Sequence, residues 1–255
     1  MSRCSFVWAH GLHSSVAHED EVGLLDWSET AEVAQVVRYD ARGHGVADVQ
    51  YEERAFRWSA LVDDMMWAAP QGPFIAGGTG MGSVTALYAA LRAPRRIQAL
   101  VLALPPPAWE ARRPEREAHQ AAARVVERRG LPAYVRSLRT RPQPRILAEE
   151  LPHAHELSLR QVRMMDEKAV PAILRGAASS DLPTREEVRS LVVPTLILAW
   201  EGDPGHPVST AEQLADLMVM SELHVAADLA DARRWPVLVR DFLADLCLWE
   251  SVDEA

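Results

Sequence analysis

Short apolar segments alternate with amphipathic segments along most of this 255-residue chain. Most of the short segments are apolar without interruption, as expected for parallel strands covered on both faces. The predicted strands are Ser5–Ala9, Gln35–Tyr39, Phe74–Ala76, Ala99–Ala103, Thr195–Ala199 and Glu222–Ala226. The predicted helices between or after them are Ser59–Ala69, Val84–Leu91, Thr210–Met218 and Trp235–Leu248. This order predicts an α/β fold, a doubly wound and mostly parallel sheet with right-handed crossovers.

One stretch breaks the alternation. Residues 108–186 show helical patterns only, with Pro and Gly at the breaks. The sequence therefore predicts an α/β core from residues 1–107 and 187–255, interrupted by a helical insertion at 108–186. Ligands of such sheets bind beyond the carboxyl ends of the strands, so the loops there are the first places to look for chemistry.

Composition excludes several classes of protein. The net charge of −9 argues against nucleic-acid binding. No apolar run approaches the length of about 18 residues that a membrane span needs, and the first residues lack the order of a signal peptide. Cys4 and Cys247 have no metal-ligand spacing, and we expect reduced thiols in a cytoplasmic protein. Neither a metal nor a cofactor is predicted.

Charge is distributed unevenly. Between Arg112 and Arg145, ten Arg face three Glu, which gives a local charge of +7 and leaves −16 for the rest of the chain. Such a basic surface would attract an anionic substrate or an acidic partner, such as a carrier or a leader segment. The alternative is a solvated helical surface with Glu–Arg pairs.

The segment AGGTGMGS, residues 76–83, joins a predicted strand to a predicted helix. A sharp turn of this kind needs small residues two positions before and after its apex. Gly80 at the apex satisfies that rule, whereas Thr79 at the apex would put Met81 where a small residue is needed. The backbone N–H of Met81 would then be available to an oxyanion.

Two further loops follow predicted strands near the start of the chain. WAHGLHSS places a Gly turn after the first strand, which makes the N–H of Leu12 a second candidate oxyanion donor and His10 and His13 candidate substrate contacts. In VVRYDARGHG, Asp40 and Arg42 are expected to pair and brace their loop.

The Gly/Pro-rich loop after Thr195–Ala199 contains Asp203 and His206. A carboxylate can orient an imidazole, and an imidazole can act as a general base, although a spacing of three residues leaves open whether the two bond each other. Trp109 and Trp200 lie near predicted strand ends, where flat side chains would suit a bulky substrate or simply fill the core.

Together these motifs resemble the α/β-hydrolase family over nearly the whole chain. The matches are His10-Gly11, the stretch Asp40–Gly45, the turn Gly78–Gly82, and Asp203. The resemblance implies that the insertion is a cap over the active site. It also implies that Gly80 occupies the nucleophile position of a degenerate triad and that Arg234 occupies the usual His position. His206 could replace the missing base.

Three functions fit these observations. The first is an enzyme of secondary-metabolite type that acts on a bulky small-molecule or peptide-linked substrate by acid/base chemistry, as ring opening, cyclisation or hydrolysis. The second is an ordinary serine esterase or peptidase in which a serine at position 80 has been replaced by glycine to trap a ligand. The third is a binding protein without catalysis.

Overall fold

The structure is a computed structural model that describes residues 4–253, with side chains described up to residue 247. Six parallel strands form one sheet in the order β2-β1-β3-β4-β5-β6. The strands are β1 Ser5–Ala9, β2 Gln35–Tyr39, β3 Phe74–Thr79, β4 Ile97–Ala103, β5 Thr195–Trp200 and β6 Ser221–Ala226. The predicted α/β class and parallel sheet are confirmed.

Helices separate the strands. Those outside the insertion are α1 Val16–Val22, α2 Thr30–Val33, α3 Val62–Ala68, α4 Met81–Arg92, α10 Arg185–Arg189, α11 Val208–Leu217, α12 Leu229–Ala232 and α13 Trp235–Asp253. Those of the insertion are α5 Arg113–Arg129, α6 Leu131–Arg139, α7 Arg145–Glu150, α8 Pro152–Met164 and α9 Val170–Ala178. In the part of the chain that is described, no helix combines the length and apolarity required to cross a bilayer.

Apolar residues cover both faces of the sheet. One cluster packs α3, α4 and α11 against it, and a second packs α13 and a group of tryptophans against the opposite face. Because both faces are buried, the strands are apolar at consecutive positions, which is the pattern that made them predictable. A third cluster forms inside the helical insertion, where α9 packs on α5.

Two expectations about side-chain pairing were wrong. Cys4 and Cys247 form a disulfide, because β1 and α13 bring their Cα atoms to 5.9 Å of each other. Arg42 pairs with Asp64 of α3 at 2.5 Å and not with Asp40. Asp40 instead accepts hydrogen bonds from the backbone N–H groups of Val16 and Val46, so its carboxylate joins two loops through the main chain.

Glycines let the turn after β3 fit closely against the end of β1. A Cβ atom on Gly78 would lie 2.5 Å from the carbonyl oxygen of Ala9, and one on Gly82 would overlap the same oxygen more severely. These clashes involve backbone, which cannot move aside as the end of a flexible side chain can. The sequence rule of small residues on both sides of the apex thus has a direct steric cause.

We predict that Gly82→Ala lowers the free energy of unfolding by at least about 1–3 kcal/mol, because the added methyl group overlaps backbone. Gly72→Ala is the matched control, since a Cβ there meets nothing within 4 Å. Urea unfolding of both variants measures the difference. Equal stability of the two variants would contradict the close approach of the turn to β1.

Candidate active site

Gly80 forms the apex of the turn between β3 and α4. Its backbone has φ 54° and ψ −110°, a conformation that favours glycine over residues with a side chain. The residue lines a cavity with mostly apolar walls. The prediction that Gly80 lies in a strand-to-helix turn with positive φ and faces a pocket is confirmed. Thr79 is the last residue of β3, so it does not occupy the apex.

Asp203 and His206 bond each other despite their short spacing. The Nδ1 of His206 lies 2.8 Å from Oδ2 of Asp203. Since a carboxylate only accepts, Nδ1 carries the proton and Nε2 of the neutral ring keeps its lone pair. That Nε2 atom lies 3.2 Å from the position that a Cβ of Gly80 would take. The loop therefore brings an imidazole to the apex of the turn.

The Asp203 carboxylate is held in its ionised form by three donors. Besides His206, the indole N–H of Trp200 donates to Oδ2 at 2.9 Å and the backbone N–H of Gly205 donates to Oδ1 at 2.8 Å. Burial alone raises the pKa of Asp203, but these hydrogen bonds and the nearby His206 outweigh it, and the pKa is lowered below its ordinary value. An ionised Asp203 fixes the orientation and tautomer of His206.

The residues of the two candidate oxyanion donors line the same cavity as Gly80. Leu12 and Met81 both line it. Met81 is the first residue of α4, so its N–H has no carbonyl partner within the helix. A Cβ on Gly11 would lie 3.4 Å from the carbonyl oxygen of Thr79, which shows how closely the loop after β1 approaches the turn.

The cavity has a volume of about 350 Å³ and lies between the strand ends and the helical insertion. Side chains from the insertion complete its wall, among them Arg112, Glu115, His119, Arg141 and Ser158. The size and the mixture of apolar walls with a few polar groups are typical of a small-molecule site.

Two hydrogen-bonded links join the core to the insertion beside the cavity. The Nε2 of His13 lies 3.3 Å from the hydroxyl of Tyr134 in α6. His18 of α1 bonds Ser14 at 2.9 Å through Nδ1 and Ser158 of α8 at 3.3 Å through Nε2. His13 lies in the cavity lining, and its bond to Tyr134 also joins the core to the insertion, while its contact with a substrate stays a prediction.

Other predicted site residues lie elsewhere. His10 is buried behind the cavity wall, where Ala41 N–H donates to Nε2 at 3.0 Å and Nδ1 bonds the carbonyl of Gly11 at 2.8 Å. Trp109 donates its indole N–H to Pro183 and packs under Arg185. Neither residue is part of the cavity lining, which differs from the expectation that both contact a substrate there. Trp200 does line the cavity, and Arg234 is exposed and outside its lining.

In the sequence, Arg112 and Arg141 stand out only as members of a charged stretch. In the structure both line the cavity, and Arg112 is 1 % exposed. Four of the other eight Arg residues of the stretch pair with carboxylates near the surface, for example Arg113 with Glu117 and Arg139 with Glu156. The charge pattern along the chain does not distinguish the arginines that line the cavity from those at the surface, because it does not show which side chains point inward. The acidic carrier or leader remains a prediction.

A parallel sheet with a sharp strand–turn–helix apex, an acid–imidazole pair and a covering helical insertion defines an α/β-hydrolase-fold enzyme. The chain belongs to the serine aminopeptidase S33 family, whose profile matches residues 3–227. It is an enzyme of the α/β-hydrolase superfamily.

Relatives and solved structures agree with this assignment. The chain is 26 % identical over 195 residues to 3-oxoadipate enol-lactonase 2 of Acinetobacter baylyi, which covers 74 % of this chain and 69 % of that protein. MenH from S. aureus superposes with a TM-score of 0.80 at 20 % identity, over 96 % of this chain and 95 % of the other. The enol-lactonase from Burkholderia xenovorans LB400 gives 0.77 at 18 %, over 95 % and 92 %. At these identities the solved structures establish the fold.

Burial, assisted by nearby His44, lowers the pKa of His10 to about 3, although Asp40 at 4.0 Å opposes the shift. The unfolded chain therefore binds a proton that the folded chain does not, between the ordinary histidine pKa of about 6.5 and about 3. We predict that stability falls as the pH falls through this range, by up to about 1.4 kcal/mol per pH unit for this residue. His10→Gln should flatten the slope. Urea unfolding between pH 4 and pH 7 measures it, and an unchanged slope would refute the assignment.

Proposed function

We propose that this enzyme hydrolyses an ester or lactone with a water molecule activated by His206, without a covalent enzyme intermediate. The observation that supports it most directly is the position of His206 Nε2, 3.2 Å from the Cβ position of a residue that has no side chain. A base is present where a nucleophile would be activated, and the nucleophile must come from outside the chain.

In the proposed reaction, water binds beside Gly80 and donates a hydrogen bond to His206 Nε2. As its oxygen attacks the substrate carbonyl carbon, the proton moves to Nε2, and ionised Asp203 stabilises the imidazolium. The N–H groups of Leu12 and Met81 stabilise the oxyanion of the tetrahedral intermediate. When the intermediate collapses, the carbon–oxygen bond of the leaving group breaks, and that oxygen takes the proton from His206.

Two considerations support an ester or lactone as the substrate. The relative from Acinetobacter baylyi is described as an enol-lactonase, and a lactone is an ester whose hydrolysis opens a ring. The cavity lining includes Trp58 and Trp200 together with aliphatic side chains, which suits a bulky apolar substrate. Cyclisation, the reverse closure, would use the same base and oxyanion donors.

The test of this proposal is the loss of the base. His206→Gln should reduce kcat by about 10²–10⁴-fold on a panel of p-nitrophenyl esters and aliphatic lactones, because the general base is removed. Asp203→Asn should also reduce kcat, since an amide no longer holds the ring by accepting from Nδ1. The exposed His153→Gln serves as a control that should keep full activity. Full turnover by the His206 variant would exclude the mechanism.

A second prediction concerns the apex. Gly80→Ser should fold, at a cost of about 1–2 kcal/mol for a side chain at positive φ. The variant should also gain a nucleophilic hydroxyl within reach of His206. A fluorophosphonate should therefore form a covalent adduct with Gly80→Ser but not with the wild type, which mass spectrometry of the intact protein measures. Gly80→Ala has the same backbone cost without the hydroxyl and controls for it. No adduct on a folded Gly80→Ser protein would show that His206 is not aimed at the apex.

A further inference from the structure

One wall of the cavity contains a buried cation that makes no ion pair with a described carboxylate. The Arg112 guanidinium donates from Nε to Ser180 O at 3.2 Å and from Nη2 to Ala177 O at 2.9 Å, and it lies 4.3 Å from the ring centre of Trp58. Among the side chains described, up to residue 247, no Asp or Glu oxygen lies within 4.0 Å of it. Burying a charge without an ion-pair partner costs folding free energy, so the position of this guanidinium calls for an explanation.

Burial lowers the pKa of Arg112 to about 10, and the carboxylates of Glu115 and Asp181 oppose this shift only from beyond ion-pair distance. Glu115 lines the same cavity, but its carboxylate lies 3.4 Å from His119 Nε2. His13 and His119 remain neutral near pH 7, because burial lowers the pKa of each to about 3.

Arg141 lines the cavity as well and forms no ion pair with a described carboxylate. Two other carboxylates near the cavity have arginine partners of their own, Glu19 with Arg38 and Asp181 with Arg116. The two cations Arg112 and Arg141 and the one anion Glu115 therefore leave this wall with an excess of one positive charge.

Arg112 also has hydrogen-bonding capacity to spare. A guanidinium has five N–H donors, and two of them are used by backbone carbonyls. The remaining donors match the two oxygens of a carboxylate, and its single negative charge equals the excess on the wall. A phosphate dianion would exceed it. The Nδ1 of His119 is a further buried polar atom without a partner in the described chain.

We infer that Arg112, assisted by Arg141, binds a free carboxylate of the substrate. The substrate class then becomes an ester or lactone with a carboxylate at the end remote from the scissile carbonyl. The ester part of this statement rests on the proposed function, whereas the carboxylate part is a statement about binding alone. The stretch of surface arginines is not needed for it, because Arg112 faces the cavity and the others named above pair with surface carboxylates.

Calorimetric titration can test the site without turnover. The probes are succinamate, glutaramate and adipamate, each compared with its neutral diamide, which has the same length and lacks the charge. For at least one length, the wild type should bind the monoanion about 10- to 100-fold more tightly than the diamide, the effect expected of a charge-assisted hydrogen bond in a buried site. Equal binding across the whole series would overturn the inference.

Variants locate the effect. Arg112→Met should remove the preference for the monoanion, and Arg116→Met, whose side chain pairs with Asp181 at 3.3 Å, should keep it. If Arg112→Met does not fold, Arg141→Met still decides the matter, because it should weaken the preference at an exposed position. If Arg112→Met folds and still prefers the monoanion, the site is refuted. If Arg112→Met does not fold, an undiminished preference in Arg141→Met refutes it. Tighter binding of inorganic phosphate than of every monoanion would refute the carboxylate class.

The two proposals fail separately. His206→Gln should lose turnover and keep the preference for the monoanion, because His206 takes no part in binding the carboxylate. If that variant keeps turnover while Arg112→Met loses the preference, the mechanism is wrong and the carboxylate site stands. If the His206 variant loses turnover and the wild type shows no preference, the mechanism stands and the carboxylate site is wrong.

Discussion

The contact between the carbonyl of Ala9 and the turn after β3 is the constraint on which the site depends. Gly78 and Gly82 face that oxygen at distances that exclude a Cβ atom. Because the turn fits so closely, α4 begins directly beneath the end of β1, and the loop after β1 lies against the turn. Leu12, Gly80 and Met81 thereby line one cavity.

The rest of the catalytic geometry comes from a different part of the sheet. β5 ends beside β4, and the loop after it folds back through hydrogen bonds from Trp200, Gly205 and His206 to one carboxylate. Asp203 thus holds both its own loop and the imidazole. Here the base, His206, and the carboxylate that orients it, Asp203, belong to one loop and lie three residues apart. Arg234 does not line the cavity.

The cavity and the residues packed around it combine groups whose charge is fixed by burial with a cation that has no ion-pair partner among the described side chains. His10, His13 and His119 are held neutral, Asp203 is held ionised, and Arg112 remains a cation among neutral partners. An enzyme that excludes water from these groups makes each interaction with a substrate stronger. In the proposed site, the buried Arg112 guanidinium has no ion-pair partner of its own in the described chain and therefore favours a substrate that carries a negative charge.

The sequence by itself determined the parallel sheet, because strands buried on both faces are apolar at consecutive positions, and it determined the turn at Gly80, because only small residues fit around it. It also identified Asp203 and His206 as a candidate pair. Only the tertiary structure decided that these two side chains bond each other and meet Gly80, that His10 and Trp109 turn away from the cavity, and that Cys4 meets Cys247. Each of these depends on contacts between elements distant in sequence or on the direction of a side chain, and local patterns contain neither. The same holds for Arg112, since ten arginines look alike along the chain and differ only in what the fold packs around them.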